Sequence, residues 1–359
     1  MNLDLQTAFV RMNEACAKIG RPIQVMEVCG THTVSIFRGG IRTLLPKTLK
    51  LLSGPGCPVC VTDQSYIDVV LKLVQRPDIL IATYGDMIRV PGSAGSLETL
   101  GLRNVEVVIS SDDAVQLARK YPKKIVVFLA VGFETTTPAT AVAVADAERL
   151  ELDNFCVLCG HKVVVPAMNA LLGGMNHRID AFLCPGHVTV IIGSDAYRPV
   201  VERFGVPCVV AGFEPLQILS GLAEICQQLA DKRPQVSSVY HAVVTPKGNL
   251  TAQKLIGQYF EPYDGLWRGL GRIPMGSLRF RAEYQQYDAM ARFGIDDVPG
   301  KELPGCRCGE VLCGLIDPPD CALFAKVCNP DKPVGPCMVS SEGACSAWYK
   351  YGHSRSTHA

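Results

Sequence analysis

Ile125-Val-Val-Phe-Leu-Ala-Val131-Gly132-Phe133-Glu134-Thr135-Thr136-Thr137-Pro138 is the stretch on which the fold of this chain turns. Seven consecutive apolar residues without alternation describe a strand covered on both faces. The Gly-Phe-Glu turn after it runs into Thr and Pro, an opening signal for the Ala-rich helix read over 139–150. The same strand–turn–helix pattern recurs along the chain. Strands are expected near 23–28, 49–52, 79–83, 105–110, 155–159, 188–192 and 208–211, with helical patterns between them. Continuous apolar strands alternating with helices predict parallel sheets carrying helices on both faces. A second Gly-Phe-Glu, Gly212–Glu214, also follows a Val/Ala-rich strand and hints at two related α/β halves.

The expected organisation is therefore an N-terminal helix (1–20) packed on the C-terminal domain, an α/β domain over 21–125, and a second over 126–235. A Cys-rich domain fills 236–359. There Gly, Pro and Tyr punctuate 259–276, a helix is expected over 278–292, and cysteine-rich turns follow. A domain with so little hydrocarbon of its own usually relies on a metal.

Composition narrows the functional classes. Of the 359 residues, 35 are basic and 34 acidic, so no field suited to nucleic acid or a membrane surface exists. The longest apolar run, Ile125–Val131, is far shorter than the roughly 20 residues of a membrane span. Residues 1–20 read as an amphipathic helix rather than a signal peptide, so a cytoplasmic protein is expected. Sixteen cysteines in a reducing compartment argue for metal or redox chemistry rather than disulfide staples, the more so because seven lie within Cys306–Cys345.

Several motifs carry the chemistry. Gly54-Pro-Gly-Cys57-Pro-Val-Cys60 holds two thiols in a Gly/Pro turn ahead of a helix, with Thr62 or Asp63 as its expected cap. That environment favours reactive thiols, yet the pattern suits a redox dithiol or half of a metal site. Farther on come Cys306, Cys308 and Cys313, then Cys321, Cys328, Cys337 and Cys345 at gaps of six to eight residues, interrupted by prolines. Four thiolates on loops suit zinc or a [4Fe–4S] cubane, and the wide spacing favours the cubane. Cys29-Gly-Thr-His32 at a strand end suits a nucleophile–base pair, a mononuclear metal site, or a buried thiol beside a capping Thr. Glu134 with Thr135, Thr136 and Thr137 forms a polar-ligand cradle or a plain helix cap. Cys159-Gly-His161-Lys162 and Cys184-Pro-Gly-His187 would meet across a cleft if the halves face each other; otherwise they are structural turns. Cys16, Cys156, Cys208, Cys226 and Cys313 read as core. No P-loop occurs, and Pro274 stands where a GxGxxG would need its third glycine.

Taken together, Cys29–His32, Gly54–Cys60, Gly132–Pro138 and Cys337-Met-Val-Ser-Ser-Glu-Gly-Ala-Cys345 closely resemble the HypD family of [NiFe]-hydrogenase maturation proteins, in order, from about residue 20 to 351. The resemblance implies two α/β domains around a cleft and a third domain with a [4Fe–4S] cluster. It implies a HypC-type chaperone as partner and a HypE-type cyanide donor as a transient one. Cys29 then matches an iron ligand shared with the partner, and His32 is its motif neighbour. Cys57 and Cys60 match a redox pair near the cluster, as in ferredoxin–thioredoxin reductase. Glu134 and Thr135–Thr137 match the motif facing the cleft. Cys321, Cys328, Cys337 and Cys345 match the cluster ligands, the set staying open at Cys306 and Cys308. The expected function is a redox-active scaffold, rather than a turnover enzyme, on which Fe(II) receives its cyanide and carbon monoxide. A free-standing iron–sulfur thiol–disulfide oxidoreductase is the alternative, and a zinc-stabilised binding protein a third.

Overall fold

A computed structural model describes residues 4–174 and 179–352. In chain order its strands are β1 (Ile23–Glu27), β2 (Leu49–Ser53), β3 (Ile79–Thr83), β4 (Val105–Val107), β5 (Ile125–Gly132), β6 (Phe155–His161), β7 (Ala181–Pro185), β8 (Cys208–Ala211), β9 (Val236–Ser238), β10 (Phe260–Trp267) and β11 (Gly271–Phe280). Two sheets are parallel throughout, ordered β2-β1-β7-β8-β9 and β4-β3-β5-β6; β10 and β11 form an antiparallel hairpin. The α/β class expected from the apolar strands is what folds.

The division into consecutive halves at residue 125 does not hold. β1 and β2 pair with β7–β9, so the first sheet joins residues 23–53 to 181–238, and the second sheet is built wholly from the segment between them. Gly54–Cys60 is thus the crossover by which the chain leaves one sheet for the other. The physical reason is register: β1 is central, bonded to β2 on one side and to β7 on the other. No neighbouring segment in sequence supplies that second partner.

Side-chain alternation explains the layering. In the first sheet Met26, Phe182, Cys184 and Val210 face a core shared with Ile81, Val127, Leu129 and Leu158 of the second. The opposite face of the first sheet (Val25, Leu183, Val209) lies under the helices Leu5–Ile19 and Pro215–Asp231. The opposite face of the second (Leu80, Phe128, Phe155, Val157) lies under Thr137–Arg149 and the hairpin. Both sheets are therefore buried twice over, as unbroken apolar runs require.

The N-terminal helix Leu5–Ile19 is capped by Asp4, which accepts from the Thr7 N–H at 2.7 Å, and ends on Gly20 at φ 66°. It packs on Pro215–Asp231 and not on the Cys-rich domain, because its stripe Ala8, Met12, Ala15 and Cys16 completes the cover over the first sheet. The exposed Lys18–Asp231 pair at 2.9 Å adds under about 1 kcal/mol, whereas burying Met12 alone is worth about 1.5–3 kcal/mol.

Two further expectations change. Residues 188–192 are not a strand: the strand is Ala181–Pro185, and Gly186–Ile192 is a helix, with Thr189 Oγ1 bonded to the Pro185 carbonyl at 2.7 Å. The apolar run Ala181–Cys184 was the better candidate for the slot between β1 and β8. Nor is 278–292 one helix: β11 runs to Phe280, followed by a 3₁₀ turn and the short helix Ala289–Phe293. No helix among the described residues is long and apolar enough to cross a membrane.

Candidate functional site

In each parallel sheet the strand order reverses once, between β1 and β7 and between β3 and β5. Open α/β sheets present ligand sites at such switch points, beyond the carboxyl ends of the strands. Cys29 follows β1 at the first switch point, and Glu134 follows β5 at the second.

Cys29 caps the helix Gly30–Arg38 and is 4% exposed. The crossover turn presses directly on it. A Cβ on Gly56 would stand 2.1 Å from the Cys29 nitrogen, and the Gly30 N–H donates to the Gly56 carbonyl at 3.3 Å. From the far end of the chain, Glu342 closes over the other side: Thr31 Oγ1 donates to Glu342 Oε1 at 2.6 Å, and Gly30 leaves no room for a Cβ against the Glu342 backbone. Three motifs, one of them more than 300 residues distant in sequence, therefore meet at Cys29. Burial pushes its thiol up to about 12, with the nearby Glu342 acting in the same direction. Cys29 is therefore a neutral thiol near pH 7.

His32 is fully buried, and burial pushes it down to about 4, so the ring is neutral. Its Nε2 bonds to the Gly212 carbonyl at 3.0 Å, while its Nδ1 has no partner among the described residues. Phe213, from the second Gly-Phe-Glu, lies between two imidazoles, 4.9 Å from His32 and 5.0 Å from His187. The two cysteine–histidine turns do not meet. His187 belongs to this cluster, whereas His161 bonds to Thr140 Oγ1 at 2.9 Å and packs edge-on against Phe260.

Glu134 is 5% exposed. One carboxyl oxygen accepts the Val164 N–H at 2.9 Å and the other has no partner among the described residues. Burial outweighs that single bond and pushes the group up to about 7. Thr135 and Thr136 are half-buried, and Thr136 packs over Gly132, where any Cβ would collide with it. The second copy of the motif has the opposite fate, since Glu214 is exposed and merely caps a helix.

Cys57 and Cys60 are joined as a disulfide, with Cα atoms 5.2 Å apart. Cys57 caps the turn Pro58–Val61, and the Cys60 N–H donates to its sulfur at 3.2 Å; Asp63 caps the helix after it, as expected. Arg268, buried at the hairpin tip, fastens this segment: its backbone N–H reaches the Val61 carbonyl at 2.9 Å and its Nε the Thr62 carbonyl at 3.0 Å. Cys308 ionises more readily than an ordinary thiol, chiefly because Cys306 and Cys337 lie against it, and the same guanidinium acts in that direction too. Beside it Trp267 stacks on Phe133 at 5.8 Å, and Lys162, pushed down to about 8 by burial, donates to the Leu266 carbonyl at 2.6 Å. The hairpin tip so connects the disulfide, the Gly-Phe-Glu turn and the Cys-rich tail.

In that tail six thiols, not four, line one small cavity. Cys321, Cys328, Cys337 and Cys345 are joined by Cys306 and Cys308, with Val311, Leu323, Phe324 and Met338 completing an apolar wall. Cys308 lies close enough to Cys306 and Cys337, and Cys337 to Cys345, for the thiols to perturb one another's ionisation. The Val334 N–H donates to Cys328 Sγ at 3.3 Å, and Gly335 lies where a Cβ would meet Cys306 Sγ at 2.5 Å. No three His, Cys, Asp or Glu side chains among the described residues converge as a single metal ion requires; the sulfurs surround a volume instead. Soft donors, an apolar wall and backbone N–H groups aimed at sulfur fit an iron–sulfur cluster. Helices Cys308–Leu312 and Pro336–Val339 contact the turn Pro58–Val61, so this cavity adjoins the disulfide.

Sequence reasoning missed Glu342, Phe213 and Arg268. Glu342 lies inside the quoted Cys337–Cys345 motif, and Phe213 inside the repeated tripeptide, so both carried a signal. Arg268 carried none.

A family model described as "HypD: Hydrogenase formation hypA family" matches residues 5–352. The chain is 45% identical to the "Hydrogenase maturation factor HypD" of Azotobacter vinelandii over 345 residues, covering 93% of this chain and 91% of that protein. It is 43% identical to the protein of that name from Escherichia coli over 334 residues, 92% and 90% of the two chains, and 41% to the one from Rhodobacter capsulatus over 342 residues, 93% and 91%. With the cysteine, histidine and Gly-Phe-Glu motifs in place on one continuous match, the chain belongs to the HypD family of hydrogenase maturation proteins.

Proposed function

We propose that this protein is a redox-active assembly scaffold for the Fe(CN)₂CO group of [NiFe]-hydrogenases, acting with a HypC-type chaperone and receiving cyanide from a HypE-type donor. The observation that carries the reading is the meeting at Cys29 of the Gly54–Cys60 turn and the Ser340–Cys345 loop. A strand-end thiol held between a Cys-x-x-Cys turn and a cysteine-lined cavity is suited to hold a metal cargo where electrons are delivered.

Fe(II) is the cargo, taken by Cys29 together with a cysteine of the partner; soft thiolate suits a low-spin iron that accepts cyanide and carbon monoxide. Loading releases the Cys29 proton. Glu134, titrating near neutrality, can hold or return a proton, and His32 remains neutral and orients the strand end. Thr135 and Thr136 supply hydroxyls at the second switch point. Cyanide carried as a partner thiocyanate needs two electrons to leave its sulfur. A Cys57/Cys60 dithiol closing to the disulfide supplies two electrons and two protons. One proton goes to the donor's departing sulfur and the other to a base, while the cyanide passes to iron. A [4Fe–4S] cluster, held by Cys321, Cys328, Cys337 and Cys345 with Cys306 and Cys308 beside them, would supply single electrons to restore the dithiol. The free-standing oxidoreductase reading is less well supported. Cys57 and Cys60 are 3% and 0% exposed, closed to a protein disulfide.

The test is anaerobic co-purification with the small chaperone. Iron beyond the cluster's four, with infrared CN and CO bands, is expected for the native chain and lost in Cys29→Ala. Bands that persist in Cys29→Ala would remove the iron-site assignment.

A further inference from the structure

Two cysteines outside the assembly chemistry face each other in the cover of the first sheet. Cys16 of Leu5–Ile19 and Cys226 of Pro215–Asp231, 210 positions apart in sequence, place their sulfurs 3.6 Å from one another. Both are buried. At that distance the sulfurs are in contact, about 1.5 Å beyond the length of a disulfide bond. Ala15 and Ala223, small side chains of the same core, let the two helices approach closely. The Lys18–Asp231 ion pair at 2.9 Å closes the same seam just beyond the thiols. The two sulfurs differ in acidity. With Cys226 against it, and Thr48 acting in the same direction, Cys16 ionises more readily than an ordinary thiol. The contact and its burial push Cys226 the other way. One thiol is thereby suited to attack and the other to resolve.

We propose that Cys16 and Cys226 are a second redox dithiol, which a peroxide closes into a disulfide that staples the N-terminal helix to Pro215–Asp231. The Cys16 sulfur attacks one oxygen of hydrogen peroxide as the O–O bond breaks. The other oxygen leaves as water with the Cys16 proton, and Cys16 becomes a sulfenic acid. The Cys226 sulfur then attacks that of Cys16, the S–O bond breaks, and a second water leaves with the Cys226 proton. Two thiols have lost two electrons, and one peroxide has become two waters. Under reducing conditions the pair rests as the dithiol. Cys16 belongs to a terminal helix, and chain ends open before a core does, so local opening admits a molecule as small as hydrogen peroxide. The bond would close a loop of 210 residues and restrict the unfolded chain accordingly. Pro215–Asp231 also packs on Gly30–Arg38, so the staple holds the layer behind Cys29. Among the described residues no other cysteine belongs to this core, and closure can be tested independently of the scaffold reading.

The experiment treats the full-length, anaerobically purified protein with a small excess of hydrogen peroxide. Remaining thiols are blocked with N-ethylmaleimide, and the chain is digested with trypsin without reductant. The peptide Met12–Lys18, whose one cysteine is Cys16, should be found joined through Cys226 to Phe204–Lys232, and dithiothreitol should separate the two. The urea midpoint should rise on peroxide treatment, and that rise should be absent from Cys226→Ala treated alike. The link should persist in Cys57→Ser/Cys60→Ser. Four results would each overturn the proposal: Met12–Lys18 recovered unlinked, Met12–Lys18 joined through Cys208, an equal yield of the link when peroxide is added in urea, or an unmoved midpoint. Loss of the link in Cys57→Ser/Cys60→Ser would refute direct closure by peroxide and make the Cys57/Cys60 pair the oxidant.

Discussion

Replacing Glu134 by Gln should change how stability depends on pH, in a direction fixed by burial. One carboxyl oxygen accepts a single N–H, the other has no partner among the described residues, and burial moves the group from 4.5 to about 7. The folded chain therefore keeps this proton up to about pH 7, while the unfolded chain releases it near 4.5. Between those values the folded state binds more protons, so stability falls as pH rises and levels off above about 7. The whole difference is about 3 kcal/mol, most of which falls between pH 5 and pH 8. Gln cannot ionise, yet its amide oxygen can still accept the Val164 N–H. Relative to the native chain, Glu134→Gln should thus gain about 2–3 kcal/mol between pH 5 and pH 8. Urea unfolding of both metal-free proteins at the two pH values, followed by tryptophan fluorescence, measures it. A difference that changes by less than about 0.5 kcal/mol would show that Glu134 does not titrate in that range. A change of opposite sign would mean that a cation holds it ionised.

Gly56→Ala would place a methyl group against the Cys29 backbone, which has no side chain to swing away; it should cost about 3 kcal/mol or more, and thermal unfolding within 1 °C of the native chain would contradict the close approach. Met12→Ala should cost about 2–5 kcal/mol by leaving a cavity between the N-terminal helix and Pro215–Asp231, while Lys18→Ala costs under about 1 kcal/mol; denaturant midpoints measured side by side would expose an inverted order. Arg268→Gln removes the cation that faces Cys308 and fastens Val61 and Thr62. A buried positive charge favours thiolates, so the Cys57/Cys60 couple should fall by about 15–30 mV, a three- to tenfold change. Equilibration with glutathione buffers reads this, and an unmoved potential would leave the guanidinium a purely structural clamp.

Local chemistry made much of this protein legible in advance. Unbroken apolar runs such as Ile125–Val131 can be satisfied only by burial on both faces, so the parallel α/β class followed without any knowledge of strand order. Cys29, Glu134 and the Cys57/Cys60 turn could be singled out because strand ends and Gly/Pro turns are encoded within a few residues. Sheet membership could not be read this way. The central strands of both sheets carry much the same apolar signature, so nothing local says that β1 pairs with β7, more than 150 residues away, or that Gly54–Cys60 is the passage between sheets. The same limit applied to the N-terminal helix, whose stripe fits any apolar surface and whose partner was chosen by the uncovered face of the first sheet. In the tail, spacing identified a thiol-rich site, but only the folded chain brings Cys306 and Cys308 to the cavity of the other four. Arg268 had no sequence signal, because its importance lies in contacts more than 200 residues distant. The sequence by itself determined most of the elements and pointed to the reactive groups and the family; tertiary structure decided which elements share a core and which groups meet, because pairing energy depends on partners that only the closed chain brings together.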